Sequence, residues 1–193
     1  MKNKLIVIGC VAFLIACNNN KTTETTDTTT ATDSLNRSDT SQNTNAGKIS
    51  TDEASSAFLM DAADGGMTEV ELGRLAQDKA KNQNVKNFAQ MMIHDHSAAN
   101  DQVKSLASQR NINIPDSIST AHQNKKEDLM KKEGAAFDKA YMDAMVKDHE
   151  TTINLFEKAS NNSKDDGVKS FITSTLPTIR QHLDSARSIR KKL

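Results

Sequence analysis

Lys86-Asn87-Phe88-Ala89-Gln90-Met91-Met92-Ile93-His94-Asp95-His96 has a second version further along the chain, Lys139-Ala140-Tyr141-Met142-Asp143-Ala144-Met145-Val146-Lys147-Asp148-His149. The two stand 53 residues apart, His96 against His149. Lys, Met, Asp and His are identical at matched places, and Phe/Tyr, Ile/Val and His/Lys are conservative replacements. Around the first copy Val85, Phe88, Ala89, Met92, Ala99, Val103 and Leu106 recur at helical spacing. Around the second, Phe137, Tyr141, Met142, Met145, Ile153 and Phe156 do the same. Both copies therefore read as amphipathic helices. Amphipathicity explains the apolar places but not the Asp-His pair that closes each copy. His96 and His149 fall on the apolar stripes, while Asp95 and Asp148 lie about 100° around the helix from them.

The same periodicity extends on both sides. It predicts helices over Ala57–Ala80, Asn84–Gln109, Ala135–Ser160 and Asp165–Arg190. A short extra helix is expected to start at Pro115-Asp116-Ser117 and run to about Lys132, with Gly134 interrupting it. Gly65-Gly66 marks a bend or a close helix contact in the first long helix, and Pro177 should kink the last one and free the Thr173 carbonyl. Nothing reads as a strand. With 7 Gly, 2 Pro, no Trp and 4% aromatic residues, turn and aromatic material is too scarce for a sandwich or barrel. Four long helices with short links make an all-α, antiparallel four-helix bundle, with the short helix between helices 2 and 3.

The chain has 193 residues, and this bundle takes 53–193 of them. Residues 1–16 combine a basic start, Met1-Lys2-Asn3-Lys4, with an apolar run from Leu5 to Ala16 that is too short for a permanent span. The run ends in Leu14-Ile15-Ala16-Cys17, which resembles the bacterial lipobox and implies cleavage before Cys17 and lipidation of it. Cys10 then leaves with the signal, so no free thiol remains for a disulfide or thiol chemistry. Residues 17–52 are rich in Thr, Asn, Ser and Asp and read as a disordered tether. A flexible chain of that length reaches roughly 30–35 Å. The expected location is the cell envelope, on a membrane through lipidated Cys17. Asn18 lies where Asp signals inner-membrane retention in the enterobacterial sorting rule, and so leans towards the outer membrane.

Charge excludes one broad class of function. Lys+Arg and Asp+Glu are 25 each, and from Glu53 onward each count is 20. A neutral domain lacks the basic excess that a general nucleic-acid binder needs. No Gly-x-Ser-x-Gly elbow or phosphate loop is present, and no catalytic residue is assigned.

The buried histidines set the remaining question. If the four helices alternate up and down, Glu69, His96 and His149 form one layer, and the last helix meets it near Pro177, about five residues or 7 Å from His182. One reading is a single transition-metal site from Glu69 or Glu71 with His96, His149 and, as a further candidate, His182. Glu71, Asp95 and Asp148 would support the ligands. The other reading, which the sequence favours, has the histidines bonding carboxylates across helices and fixing register in a structural or interaction module. His94 faces solvent, and His122 has no acid before it at useful spacing. Met91, Met92, Met142 and Met145 suit core filling better than soft-metal ligation. Lys125-Lys126 and Lys131-Lys132 alternate with Glu127-Asp128 and Glu133 and read as a solvated face.

Gly65-Gly66-Met67-Thr68-Glu69-Val70-Glu71-Leu72-Gly73-Arg74-Leu75-Ala76, Val85 to His96, Met145 to His149, Leu176-Pro177 and His182-Leu183 together resemble the family called domain of unknown function 4142. The resemblance covers Ala57 to Ile189 and implies a ferritin-like bundle in an exported bacterial protein, with no established activity. The Phe-x-x-x-Met-x-x-x-His repeats are also similar to a neighbouring His-rich helical family to which metal binding is often attributed. A ferritin-type di-iron site requires Glu-x-x-His on two helices. Ile93, Val146 and Ile179 stand where those glutamates belong, so that chemistry is not expected.

Overall fold

A computed structural model describes residues 51–193 of the chain; the signal, the lipidation site and nearly all of the tether expected from sequence lie outside the described residues. Five helices and no strand occur among these residues: α1 Glu53–Lys79, α2 Gln83–Gln109, α3 Thr120–Met130, α4 Gly134–Asn162 and α5 Asp166–Arg190. Side chains cap four of the five N-termini. Asp52, Asn82, Ser119 and Asp165 accept backbone N–H groups from Ser55, Asn84, His122 and Val168 respectively. α3 starts at Thr120 rather than at Pro115. Ser119 wins because its side chain caps the helix while Asp64 Oδ1 accepts its backbone N–H at 2.7 Å. Gly134 opens α4 in the left-handed region, φ 57°, where a side chain would be strained.

Two sets of core contacts fix the directions of the helices. One end of the bundle packs Phe58 and Leu59 of α1, Val103 of α2, Phe156 of α4 and Phe171 of α5. The other packs Leu72 and Ala76 of α1, Val85 and Phe88 of α2, Phe137 and Tyr141 of α4 and Ala186 of α5. α1 and α5 thus run one way, and α2 and α4 the other. The strict alternation expected from sequence is therefore corrected. The 110–133 segment containing α3 is a crossover that returns the chain to the end where α2 began, as in ferritin-like bundles with one long connection. α1 packs on α2 and α4, and α5 packs on the same two, so every neighbouring pair is antiparallel.

The glycines and the proline of the long helices leave them continuous. α1 runs unbroken through Gly65-Gly66, and Gly66 and Gly73 mark close approaches to α2, at Asn100 and at Ile93 with the Ala89 carbonyl. α5 runs through Pro177, which lies on the exposed face with Thr173, so water can reach the carbonyl left free. Buried polar contacts tie the ends. Arg110 at the end of α2 donates to both oxygens of Asp165 at 2.6 and 2.5 Å. Asp138 of α4 accepts the backbone N–H groups of Lys81 and Asn82 in the α1–α2 link. No described helix is long and apolar enough to cross a membrane.

Candidate metal centre

His96, His149 and His182 meet in the interior between the two apolar clusters. Their ring centroids form a nearly equilateral triangle, with separations of 5.6, 5.4 and 5.5 Å. One nitrogen from each ring lies within 4.8 Å of those from the other two, and all three residues are buried. His182 reaches this layer although it stands eight residues from the end of α5, against thirteen for His96 from the start of α2. The helix ends are therefore staggered, and the depth expected from level ends, which pointed to Pro177, is corrected on this point.

The hydrogen bonds fix two of the three tautomers. His149 Nδ1 lies 2.8 Å from the Met145 carbonyl, which can only accept, so Nδ1 carries the proton and Nε2 keeps its lone pair. His182 Nε2 donates to Asp95 Oδ2 at 2.9 Å, which leaves the Nδ1 lone pair free. His96 Nε2, His149 Nε2 and His182 Nδ1 are buried without a hydrogen-bond partner among the described residues. The rings are held neutral. Burial pushes His96 down to about 3 and His149 to about 4, each reinforced by a neighbouring imidazole, and lowers His182 against the opposing pull of Asp95.

Glu69 stands beside the triangle rather than in it. Its Oε1 lies 3.7 Å from His149 Nδ1, the side of that ring already bonded to Met145, and its Oε2 has no partner among the described residues. Burial raises its pKa well above the usual value, the Asp148 charge adds to this, and Lys125 opposes it. Asp95 orients His182. Its carboxyl is lowered by hydrogen bonds from His94 and His182, against the raising effect of burial.

The other two expected supporting acids are engaged elsewhere. Glu71 pairs with Lys126 and Asp148 with Lys125, both at 2.6 Å. This also corrects the solvated-face reading of Lys125 and Lys126, which are partly buried and dock α3 onto α1 and α4. His122 meets an acid after all, Asp64 of α1, at 2.9 Å. No spacing within one helix could reveal a partner that comes from another helix. His94 is largely exposed, and Met92, Met142 and Met145 are core residues. The buried Asp138 and the Arg110–Asp165 pair had no signal in the periodic pattern.

A match to "Domain of unknown function (DUF4142)" spans residues 38–189. The chain belongs to this family. Curated proteins show no match. Among solved structures, the chain is similar to the DUF305 fragment from Deinococcus radiodurans, with 10% identity, a TM-score of 0.67, and coverage of 75% of this chain and 99% of that one. It is also similar to CopM in its Cu(II)-bound and Cu(I)-bound forms, each with 12% identity, a TM-score of 0.62, and coverage of 72% of this chain and 96% of CopM. At such identities the likeness is one of fold.

Proposed function

We propose that this DUF4142 domain binds one transition-metal ion through His96, His149 and His182, with Glu69 as the nearest additional donor. The supporting observation is the set of three unpartnered ring nitrogens facing a common centre. A buried polar atom left unsatisfied costs about 1–3 kcal/mol, and a folded chain has only about 5–15 kcal/mol in total. Three such atoms together call for an occupant that accepts their lone pairs. Neutral imidazole with carboxylate suits zinc, copper, nickel or iron. Metal–nitrogen bonds of about 2.0–2.1 Å would draw the rings inward slightly from their present separations. CopM, of similar fold, is described in Cu(II)-, Cu(I)- and Ag-bound forms, which makes copper the first metal to test.

The structural reading rests on two His–Asp contacts across helices, Asp95–His182 and Asp64–His122, of which only the first touches the triangle. It leaves the three nitrogens and Glu69 Oε2 without a role. Purified full-length protein, loaded with copper and dialysed, is expected to retain about one equivalent per chain by mass spectrometry. His149→Ala should abolish retention, and a chelator should lower the melting temperature of the loaded parent. No retention by the parent, with a melting temperature indifferent to chelator, is the result that would overturn the proposal and favour internal ties.

Membrane anchoring through lipidated Cys17 in the cell envelope, with an outer-membrane preference, is part of the same proposal. Its support is the signal pattern and the Leu14-Ile15-Ala16-Cys17 stretch. In this reading the domain is a tethered metal-binding module, and no reaction is assigned to it.

A further inference from the structure

The triangle of imidazoles is sealed by apolar packing on most sides, so a cation needs a way in. Two cavities meet beside it. The inner one, about 60 Å³, touches His96, His182 and Glu69 and is walled by Ala62, Phe156, Phe171 and Ile179. The outer one, about 250 Å³, lies between α1, α3 and α4 and is bordered by Asp64, Thr68, His122, Asp148 and Thr151. Both are lined by Asp61, Gly65 and Glu69 of α1 and by Thr152 and Leu155 of α4.

Gly65 is the odd residue of this seam. Its backbone is ordinary helix, and a Cβ placed there would meet nothing within 4 Å. Neither conformation nor close packing demands glycine, and glycine weakens a helix interior. What its missing side chain provides is open space one helical turn from Glu69, where the two cavities join. The polar groups are arranged along the same line. Asp148 is tied to Lys125 through Oδ1, while its buried Oδ2 has no partner among the described residues. Glu69 is 5% exposed, and its Oε2 is likewise unpartnered. Asp64 faces His122, and Thr68 donates to the Asp64 carbonyl.

We infer that the groove between α1, α3 and α4 is the route by which a transition-metal cation reaches the imidazoles, with Asp64, His122 and Asp148 as its outer station, Gly65 as the gap and Glu69 as the inner contact. This rests on the metal-binding reading above. Oxygen and imidazole donors at the mouth can replace waters of a hydrated divalent ion one at a time. Of the inner cavity's other acids, Asp95 is taken by His94 and His182, and Asp61 is shared with the outer cavity and lies on the same seam. Asp148 at the mouth is paired with Lys125, so its attraction for a cation is reduced and not reversed.

The test is kinetic. Copper uptake by the full chain, and its removal by a chelator, are followed by stopped-flow absorbance in the parent and in single variants. Gly65→Leu should slow both directions by about tenfold or more while retention at equilibrium stays at about one equivalent. Asp64→Asn should slow uptake and flatten its dependence on salt, because a steering charge is lost. Thr175→Leu, at a residue that lines the inner cavity and not the outer one, should leave both rates unchanged. Gly65→Ala, a conservative helix substitution, serves as the folding control and should behave nearly as the parent. Copper retained at parental rates in both Gly65→Leu and Asp64→Asn would overturn the route alone. Slowing by Thr175→Leu and not by Gly65→Leu would move the route to the opposite wall and overturn it as well. A parent chain that retains no copper would remove the metal reading and the route with it.

Discussion

At the scale of residues, the site is a conflict between burial and charge. His96 and His149 titrate far below their usual value because the folded interior disfavours the imidazolium. Below pH 6.5 the unfolded chain takes up protons that these rings refuse while folded, so their contribution to stability is whole above that pH and is lost as pH falls towards 4 and then 3. Glu69 acts in the opposite sense. Its raised pKa makes its contribution full below about 4.5 and lost as pH rises through its folded value. The two effects leave the metal-free protein stressed at both ends of the range. Each pKa unit is worth about 1.4 kcal/mol. In Glu69→Gln, which removes the opposing carboxyl, metal-free protein is therefore expected to be about 2–4 kcal/mol less stable to urea at pH 5 than at pH 7. Equal stability at the two pH values would show that the imidazoles are not held neutral. Asp95 and the Met145 carbonyl matter here because each holds the proton on the outer nitrogen of its ring and leaves the inner lone pair available.

At the scale of elements, apolar stripes form the helices and polar contacts at their ends hold them in place. The Arg110–Asp165 pair joins the end of α2 to the start of α5, with side chains only 3% and 4% exposed. Asp165 also accepts the Val168 N–H as the cap of α5. Asp165→Asn keeps a capping oxygen but leaves the guanidinium buried without its counter-charge. It is expected to cost about 3 kcal/mol, read as a lower midpoint in urea with unchanged slope. A loss below ~0.5 kcal/mol would mean that water reaches Arg110 and that the pair does not fix the α2–α5 contact. α3 is a different kind of element. It has one buried residue, Leu129, and is held by Lys125, Lys126, His122 and Ser119 reaching acids on α1 and α4. Its lysines looked solvated in the sequence because charge alternation within eleven residues says nothing about an acid on another helix.

At the scale of the whole molecule, a single crossover decides the layout. With α4 parallel to α2, the duplicated motif puts His96 and His149 on diagonal helices running the same way, and both stripes face the centre. The bundle's neutral charge gives it no general attraction to polyanions or to anionic lipid, so in the anchoring proposed above the N-terminal segment would hold the domain at the membrane. In that proposal, a flexible tether of that length would let the domain sample roughly 30–35 Å from its anchor. Cys17→Ser, expressed in a lipoprotein-processing bacterium, is therefore expected to release the chain from the membrane fraction and abolish its lipid mass. A variant that stays in the membrane fraction would mean that something other than Cys17 holds it there.

The sequence by itself determined the helices, the bundle class, the family and the burial of His96 and His149, because 3.6-residue periodicity and the caps are local properties of the chain. Asp52, Asn82 and Asp165 sit directly before the helices they cap. Which way α4 and α5 run was not legible, because the 110–133 crossover carries no periodic record of the path it takes. Tertiary structure decided, through the stagger of the helix ends, that His182 joins the triangle and Pro177 does not. It also decided that Glu69 stands beside His149, that Glu71 and Asp148 are taken by the lysines of α3, and that Gly65 opens onto a groove. Each of these depends on distances between helices, which packing sets and which spacing along one helix does not encode.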